Sequence, residues 1–137
     1  MIVLDTNVVS ELMNVDGDAR VTAWYLSCFT VARLPATVLA ELAFGVAKLP
    51  EGARKRGLAH ALSLWRDRFV DRTLSFGPAT AVIYGDVLAD ARRAGRPMSF
   101  ADAQISATAR EHGAMLATRN GKDFSTTELR LIDPWEA

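Results

Sequence analysis

The residues that most constrain the fold of this chain are its first five. Ile2, Val3 and Leu4 form an unbroken apolar run, and Asp5 ends it. A strand with one wet face alternates apolar and polar side chains. A run without alternation needs cover on both faces, as in a buried parallel sheet. Similar short runs recur downstream: Phe29 to Leu34 reads as a second strand ended by Pro35, Arg72 to Phe76 as a third, Ala114 to Thr118 as a fourth and Leu131-Ile132 as a candidate fifth.

Helical patterns separate them. Thr6 can N-cap a helix through Asn7 to Met13. Asp16 or Asp18 can cap a second helix carrying Val21, Trp24, Tyr25 and Cys28 at helical spacing. Thr37 opens a third, in which Leu39, Leu42, Ala43 and Val46 recur at i, i+3, i+4 and i+7. A loop around Pro50 and Gly52 leads into a long helix, about Ala53 to Phe69. Gly77-Pro78 begins another, with Tyr84, Val87, Leu88 and Ala91 on one face, and Gly95-Arg96-Pro97 breaks it. Ser99 caps the last, which stops at Gly113. Short apolar strands alternating with helices predict an α/β fold, a three-layer α/β/α arrangement with a short central parallel sheet.

A chain of 137 residues, 50% hydrophobic, suits one domain over residues 1–137 with a core that needs no disulfide. Cys28 is the only cysteine, which excludes an intrachain disulfide and fits a reducing compartment. The start lacks the basic-then-apolar pattern of a secretory signal, and no stretch reaches membrane-spanning length, so a cytoplasmic protein with no membrane partner is expected. Sixteen basic residues balance sixteen acidic ones. Sequence-blind nucleic-acid binders usually carry a strong basic excess, so any nucleic acid here must be held by local patches. A net charge of zero also gives little protection against self-association.

In sheets of this kind, ligands sit at the carboxyl ends of the strands. Asp5 stands there, directly after the first strand. Glu41 interrupts an otherwise apolar helix, on or beside its buried face, where an unpaired charge is costly. Asp102 completes Ser99-Phe100-Ala101-Asp102, an S-x-x-D capping pattern at a helix start, where the helix dipole favours negative charge. Asn120 and Asp123 both lie in the exit from the fourth strand. Singly, each has an ordinary explanation: a turn, a salt bridge, a cap, an Asn-Gly turn. Together they bring three or four carboxylates to one sheet edge. Like charges gathered there repel, and a hard divalent cation, magnesium or manganese, is the simplest agent to hold them. Such an ion activates a bound water and neutralises a phosphate oxygen.

Other chemistries fit less well. His60 lies inside a helix and His112 at a helix end, so a two-histidine nuclease is unsupported. Phosphate-cradling glycine loops and a nucleophile elbow are absent. Basic residues cluster at Arg54 to Arg56, at Arg92, Arg93 and Arg96, and at Arg119 with Lys122. The first cluster reads as a solvated face; the last two, close in sequence to Asp102 and Asp123, are the candidates for phosphate contacts.

Five blocks of the sequence resemble the VapC/FitB branch of PIN-domain toxins. They are Ile-Val-Leu-Asp-Thr-Asn-Val-Val-Ser-Glu, Thr-Val-Leu-Ala-Glu-Leu-Ala-Phe-Gly, Ser-Phe-Ala-Asp-Ala-Gln-Ile-Ser-Ala-Thr-Ala, Leu-Ala-Thr-Arg-Asn-Gly-Lys-Asp-Phe and Leu-Ile-Asp-Pro-Trp. In that order they span the whole chain. The resemblance implies a Mg²⁺- or Mn²⁺-dependent endoribonuclease, the toxin of a toxin–antitoxin pair, with RNA as substrate, a small antitoxin as partner and a homodimeric state. It implies Asp5, Asp102 and Glu41 as metal ligands, and Asp123 or Asn120 as the fourth site residue. Thr6, Asn7, Arg96, Arg119 and Lys122 are the expected substrate contacts. The early helices, with Trp24 and Tyr25, are expected to offer a groove to an apolar antitoxin segment. A catalytically weakened PIN-like module that only binds RNA or protein is the competing reading, and the uncharged Asn120 is its best argument.

Overall fold

A computed structural model describes residues 1–137. In chain order the elements are β1 (Ile2–Leu4), α1 (Thr6–Met13), α2 (Ala19–Cys28), β2 (Ala32–Pro35), α3 (Ala36–Ala47), α4 (Ala53–Arg68), β3 (Thr73–Leu74), α5 (Pro78–Arg93), α6 (Phe100–Glu111), β4 (Met115–Ala117), a 3₁₀ turn (Gly121–Phe124) and β5 (Leu131–Ile132). The five strands form one sheet in the order β3-β2-β1-β4-β5, and every pairing is parallel. Neighbouring residues of a strand point to opposite faces, and Val3 and Leu4 are both wholly buried. Helices therefore cover both faces of the sheet, as the unbroken apolar run requires.

The order carries a functional consequence. From β1 the chain moves outward through β2 to β3, then returns to the other side of β1 for β4 and β5. The connections thus part between β1 and β4, and a crevice opens at the carboxyl ends of those two strands.

Several boundaries differ from those read in the sequence. The cap of α1 is Asp5, whose side chain accepts from the Thr6 amide; Thr6 is the first helical residue, and its hydroxyl is used elsewhere. Asp18 caps α2. Phe29 to Val31 is a turn rather than strand, because the Val31 and Ala32 amides still bond back to the carbonyls of Cys28 and Phe29. Pro35 closes β2 from inside it and leads straight into α3, which starts at Ala36 instead of Thr37. The third strand shrinks to Thr73–Leu74, since the Arg72 amide is held by the Phe69 carbonyl in a turn. The end of α6 agrees with the sequence reading: the helix stops at Gly113, whose φ of 59° is the left-handed conformation suited to glycine at a helix end.

Beneath β2, Tyr25, Trp65 and Phe69 pack together, with Trp65 and Phe69 stacked at 5.4 Å and Tyr25 tilted against Trp65 at 5.5 Å. Tyr25 is only 6% exposed and Trp24 packs on the rim of the core. The expected groove would need both side chains open to a partner; Tyr25 is instead spent on the core, and Trp24 is half-buried against it. Helical spacing shows that such residues share a face, but not whether that face meets the chain's own core or a partner.

Candidate active site

The crevice between β1 and β4 is built first around Asp5. Its Oδ1 accepts from the Thr6 amide at 2.7 Å, and its Oδ2 accepts from the Thr118 hydroxyl at 2.7 Å and the Asn7 amide group at 3.2 Å. Asp5 is 4% exposed. Burial raises its pKa above the ordinary value, opposed by the bonds from Thr118, Thr6 and Asn7, and the nearby Glu41 adds to the rise.

Glu41 reaches the same place from α3. It forms no ion pair; its Oε1 accepts from the Thr6 hydroxyl at 2.5 Å. Asp102 arrives from the first turn of α6. Its backbone amide donates to the Ser99 hydroxyl at 3.1 Å, and the reciprocal bond from the Ser99 amide to its carboxyl group, which would complete a capping box, is not made. It is pushed up to about 6, by burial first and then by the charges of Asp5, Asp123 and Glu41, with Ser99 opposing. Beyond β4, the Asn120 amide donates to the Thr118 hydroxyl at 3.1 Å, and the Asp123 amide donates to the Asn120 carbonyl. Asn120 and Asp123 are thereby turned toward the crevice together.

One cleft is lined by Asp5, Glu41, Asp102 and Asp123, with Thr6, Asn7, Ser10, Asn120 and Phe124 filling its walls. The four carboxylates found at separate points of the sequence share this cleft. Thr6 and Asn7 are present too, but their polar groups are occupied in steadying Glu41 and Asp5; the Asn7 Oδ1 also accepts from the Arg119 amide at 3.3 Å. Arg96 and Lys122 line an adjoining hollow. Arg119 is not brought into either lining: its guanidinium lies over the Trp135 ring at 4.9 Å. Nor do Arg92 and Arg93 reach the cleft; Arg93 pairs with Asp90 at 2.6 Å, and Arg92 flanks an apolar dent beside Phe100.

Thr118 escaped the sequence reading. Buried at the end of β4, its hydroxyl donates to Asp5 and accepts from Asn120. The available signal was a hydroxyl residue ending an apolar strand, directly ahead of Arg119-Asn120.

The donor set fits a hard divalent cation. Four carboxylates face one cleft without a single basic partner among the ion pairs, and their mutual repulsion adds to the burial that raises the pKa of Asp102. No three of the acidic side chains converge as a ready-made ligand shell. Magnesium needs none, because it keeps several of its waters and takes only one or two carboxylates directly.

Comparison with known proteins agrees with this geometry. Residues 2–128 match the PIN domain family. The chain is 38% identical over 138 residues to the VapC ribonuclease Y4jK of Sinorhizobium fredii, covering 99% of each protein. It is 36% identical to the toxin FitB of Neisseria gonorrhoeae, over 98% of this chain and 99% of that one. The crystal structure of FitAcB from Neisseria gonorrhoeae superimposes with a TM-score of 0.91 at 35% identity, covering 100% of both chains. With the β1–β4 crevice, its acids and these full-length matches in agreement, the chain belongs to the PIN-domain family, in its VapC/FitB branch.

Proposed function

We propose that this chain is a Mg²⁺- or Mn²⁺-dependent endoribonuclease and the toxin of a toxin–antitoxin pair. The observation that carries the reading is the single cleft shared by Asp5, Glu41, Asp102 and Asp123. A divalent cation bound there supplies charge neutralisation at a phosphate oxygen and an activated water. The residues of the chain do the rest. Three hydrogen bonds fix the Asp5 carboxylate in one orientation, which is the preorganisation that metal and phosphate chemistry rewards. Thr6 holds Glu41 alongside it. Asp102 carries a proton at its carboxyl below about pH 6 and releases it above, so cation binding is expected to strengthen as pH rises through 6. Asp123 supplies the fourth charge, and Asn120 shapes the wall. A silent binding module is less well supported, because Asp123 provides the acid that Asn120 lacks.

Purified protein incubated with single-stranded RNA should cut it internally with Mg²⁺ or Mn²⁺ and lose that activity in EDTA. Asp5→Asn and Asp102→Asn should each lower the rate by a hundredfold or more, in line with about 3 kcal/mol of lost charge stabilisation. Unchanged cleavage by both variants, or in EDTA, would refute the reading.

A nuclease of this kind needs restraint, and the relative named as a toxin supports a paired antitoxin. The surface best suited to it lies between α1 and α4, where Met13, Val15, Leu58 and Ala61 line an apolar depression edged by Glu11 and Arg54; Val15 is 98% exposed. An amphipathic helix lays its apolar face into such a groove. Co-expression with the neighbouring open reading frame should yield a complex without RNase activity; no complex, or undiminished cleavage, would exclude it.

A further inference from the structure

The acidic cleft does not end at its acids. Asp102 and Asp123 also line a second hollow, together with the basic and hydroxyl side chains of Arg96, Lys122, Ser99 and Ser125. The two spaces share those two acids. Arg96, in the loop between α5 and α6, donates through Nη1 to the Ser125 hydroxyl at 3.0 Å, and Ser125 directly follows the turn that carries Lys122 and Asp123. The guanidinium is thus tied by one hydrogen bond to the segment that carries Asp123.

Its charge is nevertheless unspent. Two acids stand in the same hollow, yet neither Arg96 nor Lys122 forms an ion pair with either of them. Two unpaired cations beside a cleft for a phosphodiester are placed to take an anion from outside. An arginine fork matches phosphate geometry, and lysine adds a point charge. A protein of zero net charge must draw its nucleic-acid affinity from patches such as this.

We propose that this second hollow holds the phosphate adjoining the scissile one along a single RNA strand, with Arg96 and Lys122 as its ligands. The proposal rests on the nuclease reading and narrows it. The substrate must present two consecutive phosphates, one to the acids and the next to Arg96 and Lys122. A dinucleotide with one internal phosphate is then a poor substrate, and a trinucleotide is the shortest good one.

The test has two arms. In steady-state cleavage of a short single-stranded oligoribonucleotide, Arg96→Ala and Lys122→Ala should each raise KM about tenfold, the usual cost of one charge-assisted contact, with kcat within about twofold of wild type. Arg96→Lys should recover part of the loss. An oligonucleotide with a neutral methylphosphonate at one linkage flanking the cut should cost wild type more than either substitution alone, and should cost the Arg96→Ala, Lys122→Ala double variant nothing more. In the second arm, binding of a fluorescent oligoribonucleotide is measured in EDTA over a range of salt. Each variant should flatten the dependence of log affinity on log salt by about 0.7, the value for one phosphate contact with a single strand. Arg66→Ala, exposed on α4, paired with Asp67 and outside both linings, serves as the control and should change neither arm. Losses confined to kcat, a neutral linkage that still weakens the double variant, or unchanged salt slopes would overturn the subsite. Cleavage that persists in the variants and stops in EDTA would at the same time leave the nuclease reading standing. Failure of Mg²⁺-dependent cleavage in wild type removes the nuclease reading instead, and the salt slopes then decide the phosphate subsite alone.

Discussion

The Thr118 hydroxyl donates to Asp5 and accepts from the Asn120 amide, so one oxygen ties the acid after β1 to the loop after β4. Thr118→Val keeps the shape of the side chain and removes that oxygen. It should cut turnover about tenfold by freeing Asp5 and the Asn120 loop together, while Thr118→Ser should restore most of it; equal rates for the two variants would show that the hydroxyl is idle. Asp102 allows a test by stability. Its folded-state pKa of about 6 lies above the ordinary 3.8, so the folded chain holds a proton that the unfolded chain gives up. That preference stabilises the fold fully below about pH 4 and is lost as pH rises through 6. Metal-free Asp102→Asn should therefore melt above wild type at about pH 7.5, with the gap closing by about pH 4. Mg²⁺ should raise the melting temperature of wild type and do far less for the variant. Calorimetric melts across pH, with and without Mg²⁺, check both.

At the scale of elements, Tyr25 is informative. Its hydroxyl is buried without a hydrogen-bond partner, while its ring packs on Trp65. Tyr25→Phe keeps the packing and removes the orphaned group, so it should stabilise the protein by about 1 kcal/mol in urea unfolding; a loss of stability would mean that the hydroxyl is satisfied in solution. Tyr25 also marks what the sequence could and could not say. The order and type of every main element followed from apolar runs and helical spacing, because burial sets both patterns. Element ends were less legible. Phe29 to Val31 has the composition of a strand, but its amides stay with the end of α2, a choice made by the backbone and invisible to hydrophobicity. Asp5 and Glu41 could be picked out because each breaks an apolar run, and Asp102 because it completes a capping pattern at a helix start. Thr118 broke none, and the separation of Arg96 from Arg92 and Arg93 depends on how the loop after α5 turns.

For the whole molecule, the balance of charge and exposed apolar surface matters most. Phe100 and Val82, on α6 and α5, are both 72% exposed, and a net charge of zero does not keep copies apart. Self-association is expected, and sedimentation at increasing protein concentration should show mass above one chain; a monomer throughout would exclude it. The placing of β4 beside β1 has a different consequence, one of timing. Asp5 is made 113 positions before its partner Thr118, and β4 can join β1 only after α6 has been made. Such long-range pairing forms late. While the segment between them is being translated, Asp5 has no finished crevice to occupy, so the machinery that makes this protein works beside a growing chain whose crevice is not yet assembled.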